Sequence, residues 1–121
     1  MSEKRTVKLT VVGMQYRVTM ETRKALAARL PVRVHIEREP DNEHDPNAIK
    51  VILEAEPWEG FHIGYINRAS ASALAPLLDS GKAKVARASL VRIDRHEGEA
   101  KLTVTMLVGG KRLTKRKSTK V

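Results

Sequence analysis

Cysteine is absent from this 121-residue sequence. Disulfides and thiolate metal sites are thereby excluded, and nothing points to an oxidising compartment. Aromatic residues are almost as scarce, at 3%, namely Tyr16, Trp58, Phe61 and Tyr65. No apolar run approaches the ~18 residues of a bilayer span. The N-terminal stretch MSEKRTVKLT has no apolar signal core. A cytoplasmic protein with no membrane association is expected, nucleoid-associated if the source is bacterial. Catalytic signatures are missing as well: there is no Gly-rich phosphate loop, nucleophile elbow or paired-His zinc spacing. The histidines at 35, 44, 62 and 96 are scattered, with His35 on a polar strand face and His96 in a turn. The reading is a protein that is not an enzyme and uses neither cofactor nor metal.

What is present is one domain's length with 41% hydrophobic and 31% charged residues, the balance of a globular chain. The net charge is +9, from 23 basic and 14 acidic residues. Six of those cations, Lys111, Arg112, Lys115, Arg116, Lys117 and Lys120, fall after Val108 with no acid among them. The body therefore keeps 17 basic residues against 14 acidic ones. We divide the chain into a domain over 1–108 and a disordered basic tail over 109–121. Such a tail binds polyanions through a sequence-independent Coulomb term.

Hydrophobic periodicity supplies the elements. Val7, Leu9 and Val11 alternate with polar residues over 6–12, the pattern of a strand with one buried face, and Gly13 breaks it. The spacing over 20–30 predicts a short helix, with Thr19 or Thr22 as its cap and Pro31 as its stop. Strands are expected over 32–38 and 48–54, joined by the turn-rich PDNEHDPN and hence antiparallel. Residues 55–60 form a turn, beside which Trp58 and Phe61 would close one end of the core, and a short strand covers 62–66. A helix over 67–80 follows, capped by Asn67, kinked or restarted at Pro76 and ended by Gly81. The strand over 83–94 slips phase, which a bulge near Ser89 and Leu90 would reconcile. The strand over 100–108 alternates strictly. Six strands and two short helices predict a mainly β fold, a small OB-like antiparallel barrel, and such barrels often bind oligonucleotides.

The run Asp41, Asn42, Glu43, His44, Asp45 has two readings. Its side chains cap turns, as Asn47 would, or they contact a ligand or a hard cation. The spacing is not that of a calcium loop, since the required Gly and the distal Glu are missing.

The stretches VVGMQY at 11–16, REPDNEHDPNAIKV at 38–51 and GYINRASASALAPLLDSG at 64–81 resemble the HIRAN domain in content, order and spacing. The resemblance covers roughly residues 6–108. It implies an OB-like barrel that binds single-stranded DNA and recognises its 3′-hydroxyl end. The DNA-binding positions it implies are Gln15, Tyr16, Asn42, His44, Asp45, Tyr65 and Arg68. Tyr16 would stack on a terminal base, Asp45 would accept a hydrogen bond from the 3′-hydroxyl, Arg68 would grip a phosphate, and Tyr65 would lie near the backbone. Two positions depart from the end-binding members: His44 stands for a larger aromatic and Gln15 for an arginine.

The expected function is thus a monomeric, non-catalytic DNA-binding module of repair or replication, with a helicase or nuclease as a candidate partner. The alternatives are an RNA-binding barrel, a metal-dependent nuclease using Asp41, His44 and Asp45, and an adaptor whose tail alone touches nucleic acid. The tail yields a direct test. Deleting residues 109–121 is expected to weaken binding to all strands alike and to flatten its salt dependence. Each single-strand phosphate contact contributes about −0.7 to the slope of log K against log salt, and an unchanged slope would refute the tail's role.

Overall fold

The computed structural model describes residues 2–94 and 96–109, so the tail cations lie outside the described residues. The chain runs β1 (Ser2–Val12), α1 (Met14–Arg17), α2 (Met20–Ala27), β2 (Val32–Arg38), β3 (Ile49–Leu53), β4 (His62–Ile66), α3 (Arg68–Asp79), β5 (Ala83–Ile93) and β6 (Ala100–Gly109). The strands close into a barrel in the order β1-β4-β3-β2-β5-β6, with every pairing antiparallel. The expected mainly β, six-stranded barrel is formed, with a third helix that periodicity did not predict. No helix among the described residues is long and apolar enough to cross a membrane.

Alternation places the core. Leu9 and Val11 of β1, Leu102 and Val104 of β6, and Val32 and Val34 of β2 point inward and are buried. Burying each such side chain contributes about 1.5–3 kcal/mol. Leu26 of α2 and Ala71, Leu74 and Ala75 of α3 join the same core. In β5 the phase slip resolves into two bulges rather than one. Ala86 and Val91 each lack a partner on β6, so the inward phase runs through Ala83 and Val85, then Ala88 and Leu90, then Ile93.

Several boundaries differ from expectation. β1 begins at Ser2 rather than residue 6, because its ladder with β6 extends from Ser2–Gly109 to Val11–Ala100. Residues 3–6 are polar and exposed, held as strand by backbone pairing with β6 rather than by a buried face. Gly13, at φ +87°, turns the chain from β1 into α1, a single turn too short to show a period. Of the two cap candidates, Thr19 caps α2, accepting from the Thr22 amide at 3.1 Å. That helix ends at Ala27, short of residue 30. Asn67 occupies the cap position of α3, but its side chain makes no capping bond and its buried Oδ1 has no partner. Its backbone amide instead donates to Thr10 O at 2.9 Å, tying α3 to β1. α3 runs through Pro76 as one element without a restart. Trp58 packs against the core beneath the Arg29 guanidinium, whereas Phe61 is 41% exposed and closes nothing.

The barrel closes where β1 meets β4 through only Val11–Ile66 and Val12–Tyr65. A Cβ on Gly64 would lie 2.5 Å from Val12 O and 2.9 Å from Val11 Cγ1. Gly64→Ala should therefore force β1 from β4 and lower stability by about 1–3 kcal/mol, the usual cost of overpacking. Urea unfolding measures this, and an unchanged midpoint would show that the seam has slack.

Candidate nucleic-acid interface

The barrel seam, the β2–β3 loop and the start of α3 converge on one cleft of about 320 Å³. Val12, Ala48 and Ile66 give it apolar walls, while Asn42, His44, Asp45, Tyr65 and Arg68 supply its polar groups. Five of the seven sequence-predicted side chains are thus brought together. Gln15 and Tyr16 are not among the lining residues. Both are exposed on α1, with Tyr16 at 86%. α1 is fastened to β4 by Arg17 Nε, which donates to His62 O at 3.1 Å, and Gln15 packs against Gly98 of the β5–β6 turn.

The loop holds its shape through its own side chains. Asn42 Oδ1 accepts from the amides of His44 and Asp45 at 2.8 and 3.0 Å. Asp45 Oδ1 accepts from the Asn47 amide at 2.9 Å. These are the Asx turns that the sequence offered as one reading of the polar run. They leave the other Asp45 oxygen facing Arg68, with Oδ2 lying 3.5 Å from Arg68 Nε. Arg68 also donates through Nη2 to His44 O, at 2.6 Å. The Asp45 side chain is 20% exposed and that of Arg68 74%, so the pair presents an anchored acceptor beside a solvent-facing cation. Among the described residues no three His, Asp or Glu side chains gather closely enough to hold a metal ion, so Asp41, His44 and Asp45 do not form the centre a nuclease reading needs.

Three contributors went unassigned in the sequence. Glu39 Oε1 accepts from Asn42 Nδ2 at 2.7 Å and from the Tyr65 hydroxyl at 2.8 Å. The Asn42 bond first, then the Tyr65 bond, hold the Glu39 carboxyl below its ordinary pKa. Burial first, then the Glu39 carboxylate, push the Tyr65 hydroxyl above its own. Tyr65 therefore stays protonated, and its donor is engaged inside the protein. Arg38 donates to Ala48 O and Pro46 O at 2.8 and 2.9 Å, closing the base of the loop. His62 packs edge-on against Tyr65 at 4.8 Å; burial above all, then the nearby Arg17, lower its pKa. Arg38 and Glu39 both sit within the 38–51 motif, but their bonds connect partners that only folding brings near.

The arrangement can accept a hydrogen bond at Asp45 and offer positive charge at Arg68 within one cleft. The HIRAN domain of human HLTF, as a crystal structure, superposes with a TM-score of 0.68 at 23% identity, covering 87% of this chain and 77% of that one. A crystal structure of a Lactobacillus plantarum protein gives a TM-score of 0.64 at 26% identity, covering 88% of this chain and 100% of that one. No curated protein matches significantly. The profile of the HIRAN domain matches residues 4–109, nearly the whole described chain and every residue of the cleft. This chain belongs to the HIRAN domain family, a family of DNA-binding domains.

Proposed function

We propose that the chain is a non-catalytic, monomeric module that binds single-stranded DNA at its 3′-hydroxyl end, in DNA repair or replication. A helicase or nuclease acting on such ends is the partner class this implies. The observation that carries the reading is the Asp45–Arg68 pair, the charged groups of a cleft whose apolar walls are Val12, Ala48 and Ile66. An ionised carboxylate only accepts hydrogen bonds, and a terminal hydroxyl can donate one. The Arg68 guanidinium takes the adjoining phosphate. The first turn of α3 has no side-chain cap, which leaves its amides free to assist.

Strands ending in 3′-hydroxyl are expected to bind better than those ending in 3′-phosphate, which brings like charge to Asp45. Two unit charges ~4 Å apart repel by about 1 kcal/mol in water and about 4 kcal/mol at an effective dielectric of 20. A tenfold preference needs only about 1.4 kcal/mol. Asp45→Asn should narrow the gap. Titrating both oligonucleotides against the unaltered protein decides the matter, since equal affinities would sink end recognition. Matched RNA strands in the same titration separate DNA from RNA preference, because contacts to the 2′-hydroxyl would favour RNA.

Tyr16 presents a ring to solvent that the core does not use. Tyr16→Ala should cost about 1–3 kcal/mol of binding, one stacked base's worth, with the thermal midpoint unchanged. Loss of stability in step with binding would assign the ring to packing.

A further inference from the structure

We propose that the outer face of β1, β6, β5 and the adjoining end of β2 is a second nucleic-acid surface, one that holds the phosphate backbone without reading bases. Strand register builds it. Lys8, Thr103, Ser89 and Arg33 are successive cross-strand neighbours. They point outward, since their chain neighbours Leu9, Leu102, Leu90 and Val34 are buried. The next row is Thr6, Thr105 and Arg87, and the one beyond is Lys4, Leu107 and Lys84. These rows carry five cations and no carboxylate. None of the five is in an ion pair among the described residues.

The borders of the face are balanced where its centre is not. Towards the β5–β6 turn, Arg92 is opposite Lys101, with Asp94 and Glu99 beside them. On the other side, β2 and β5 stop pairing after Val34–Ala88, and a cleft of about 300 Å³ opens with Arg33 and Arg87 in its walls. Glu54 lines that cleft too, hydrogen-bonded to His35 Nδ1 at 3.0 Å.

Charge complementarity names the occupant. The face spans roughly 13 Å along the strands and 14 Å across them, from rises of ~3.3 Å and strand spacings of ~4.8 Å. That accommodates about four phosphates at 3.4 Å per step. Thr6, Thr103, Thr105 and Ser89 provide hydroxyl donors between the cations, the side chains that position a backbone without specifying sequence. Leu107 and Val91 are its only large apolar side chains exposed to solvent, too little for membrane insertion. The face also connects two other features. Along β1 its outward positions continue through Thr10 to Val12, which lines the end cleft. β6, its central strand, leads directly into the segment bearing six cations.

The test uses the full-length chain and an oligothymidine strand ending in 3′-hydroxyl or in 3′-phosphate. Lys8→Gln/Arg87→Gln should lower affinity for both ends equally. Two lost contacts reduce the salt slope by about 1.4, or roughly 25-fold in affinity at about 0.1 M salt relative to the 1 M limit. Each single substitution should give half the slope change, and all variants should melt as the unaltered protein does. An unchanged slope overturns the proposal. So does an equal loss in the charge-matched Lys24→Gln/Arg29→Gln, which would reduce the effect to net charge, or equally tight binding to anionic phospholipid vesicles. The surface does not depend on end recognition: equal affinity for the two ends in the unaltered protein would remove the cleft reading, while a reduced slope in the variant would still support the face.

Discussion

The guanidinium of Arg38 is the joint on which the cleft depends. It sits at the end of β2 with its side chain only 15% exposed. It donates to the carbonyls of Ala48 and Pro46 and to both oxygens of Asp79. A loop that leaves the sheet at Glu39 and returns at Ala48 is thereby closed at its base. Asp79 is the last residue of α3, where the helix dipole disfavours an acid. Its place there is explained by Arg38, whose charge it compensates and whose pKa it raises. At the other end of the same helix, Arg68 bonds His44 O at the loop tip. α3, ~18 Å long at 1.5 Å per residue, thus clamps the loop at base and tip. The position of Asp45 follows from that clamp.

Apart from the exposed Asp41 and Glu43, the acids of this region are engaged internally, and this gives the net charge a geometry. Glu39 is occupied by Asn42 and Tyr65, Asp79 by Arg38, and Asp45 by the Asn47 amide and Arg68. Lys50 lies 3.4 Å from Glu37 and 3.9 Å from Glu39. On the side of β2, β3 and α3, charge is matched locally. On the outer side of β1, β6 and β5, cations alternate with hydroxyls and no carboxylate intervenes. A chain with the same totals but mixed signs on both sides would attract a polyanion without orienting it.

How much could be read from the sequence follows from how local each cause is. Strand positions came from alternation, and 32–38 matched to the residue, because an inward-facing side chain reports its own strand's phase. α1 was invisible: four residues carry no period, and Gly13 marks only that the strand stops. Thr19 and Thr22 were indistinguishable because either hydroxyl could begin a helix. Asn67 does stand at the cap position, but its buried Oδ1 makes no bond there, while its amide reaches Thr10 O, a partner far away in sequence. In the site, the motif at 38–51 identified the loop, whereas the pairing of Asp45 with Arg68 joins two motifs that folding brings together. Glu39 and Arg38 were overlooked because their work is to satisfy groups that folding alone brings near. Gln15 and Tyr16 lie beside β4 on a helix the periodicity did not contain, outside the cleft wall.

If both proposals hold, the cleft and the charged face would divide the tasks of nucleic-acid binding according to what each interaction can distinguish. Coulomb attraction to phosphates is nearly blind to sequence and to ends, and it weakens with salt. A hydrogen bond to a terminal hydroxyl is the reverse: short in range and selective, but small beside the attraction to a whole strand. Neither suffices alone, since a site reading one hydroxyl gains little affinity and a basic face has no reason to stop at an end. Through β1 the two are joined, with Lys8 and Thr10 on the open face and Val12 in the cleft. A strand held along the face would keep its terminus near Asp45, raising the effective concentration of the end without a new contact. On this reading the barrel's closure at Val12 and Gly64 does more than complete the sheet: it fixes the distance between backbone grip and end recognition.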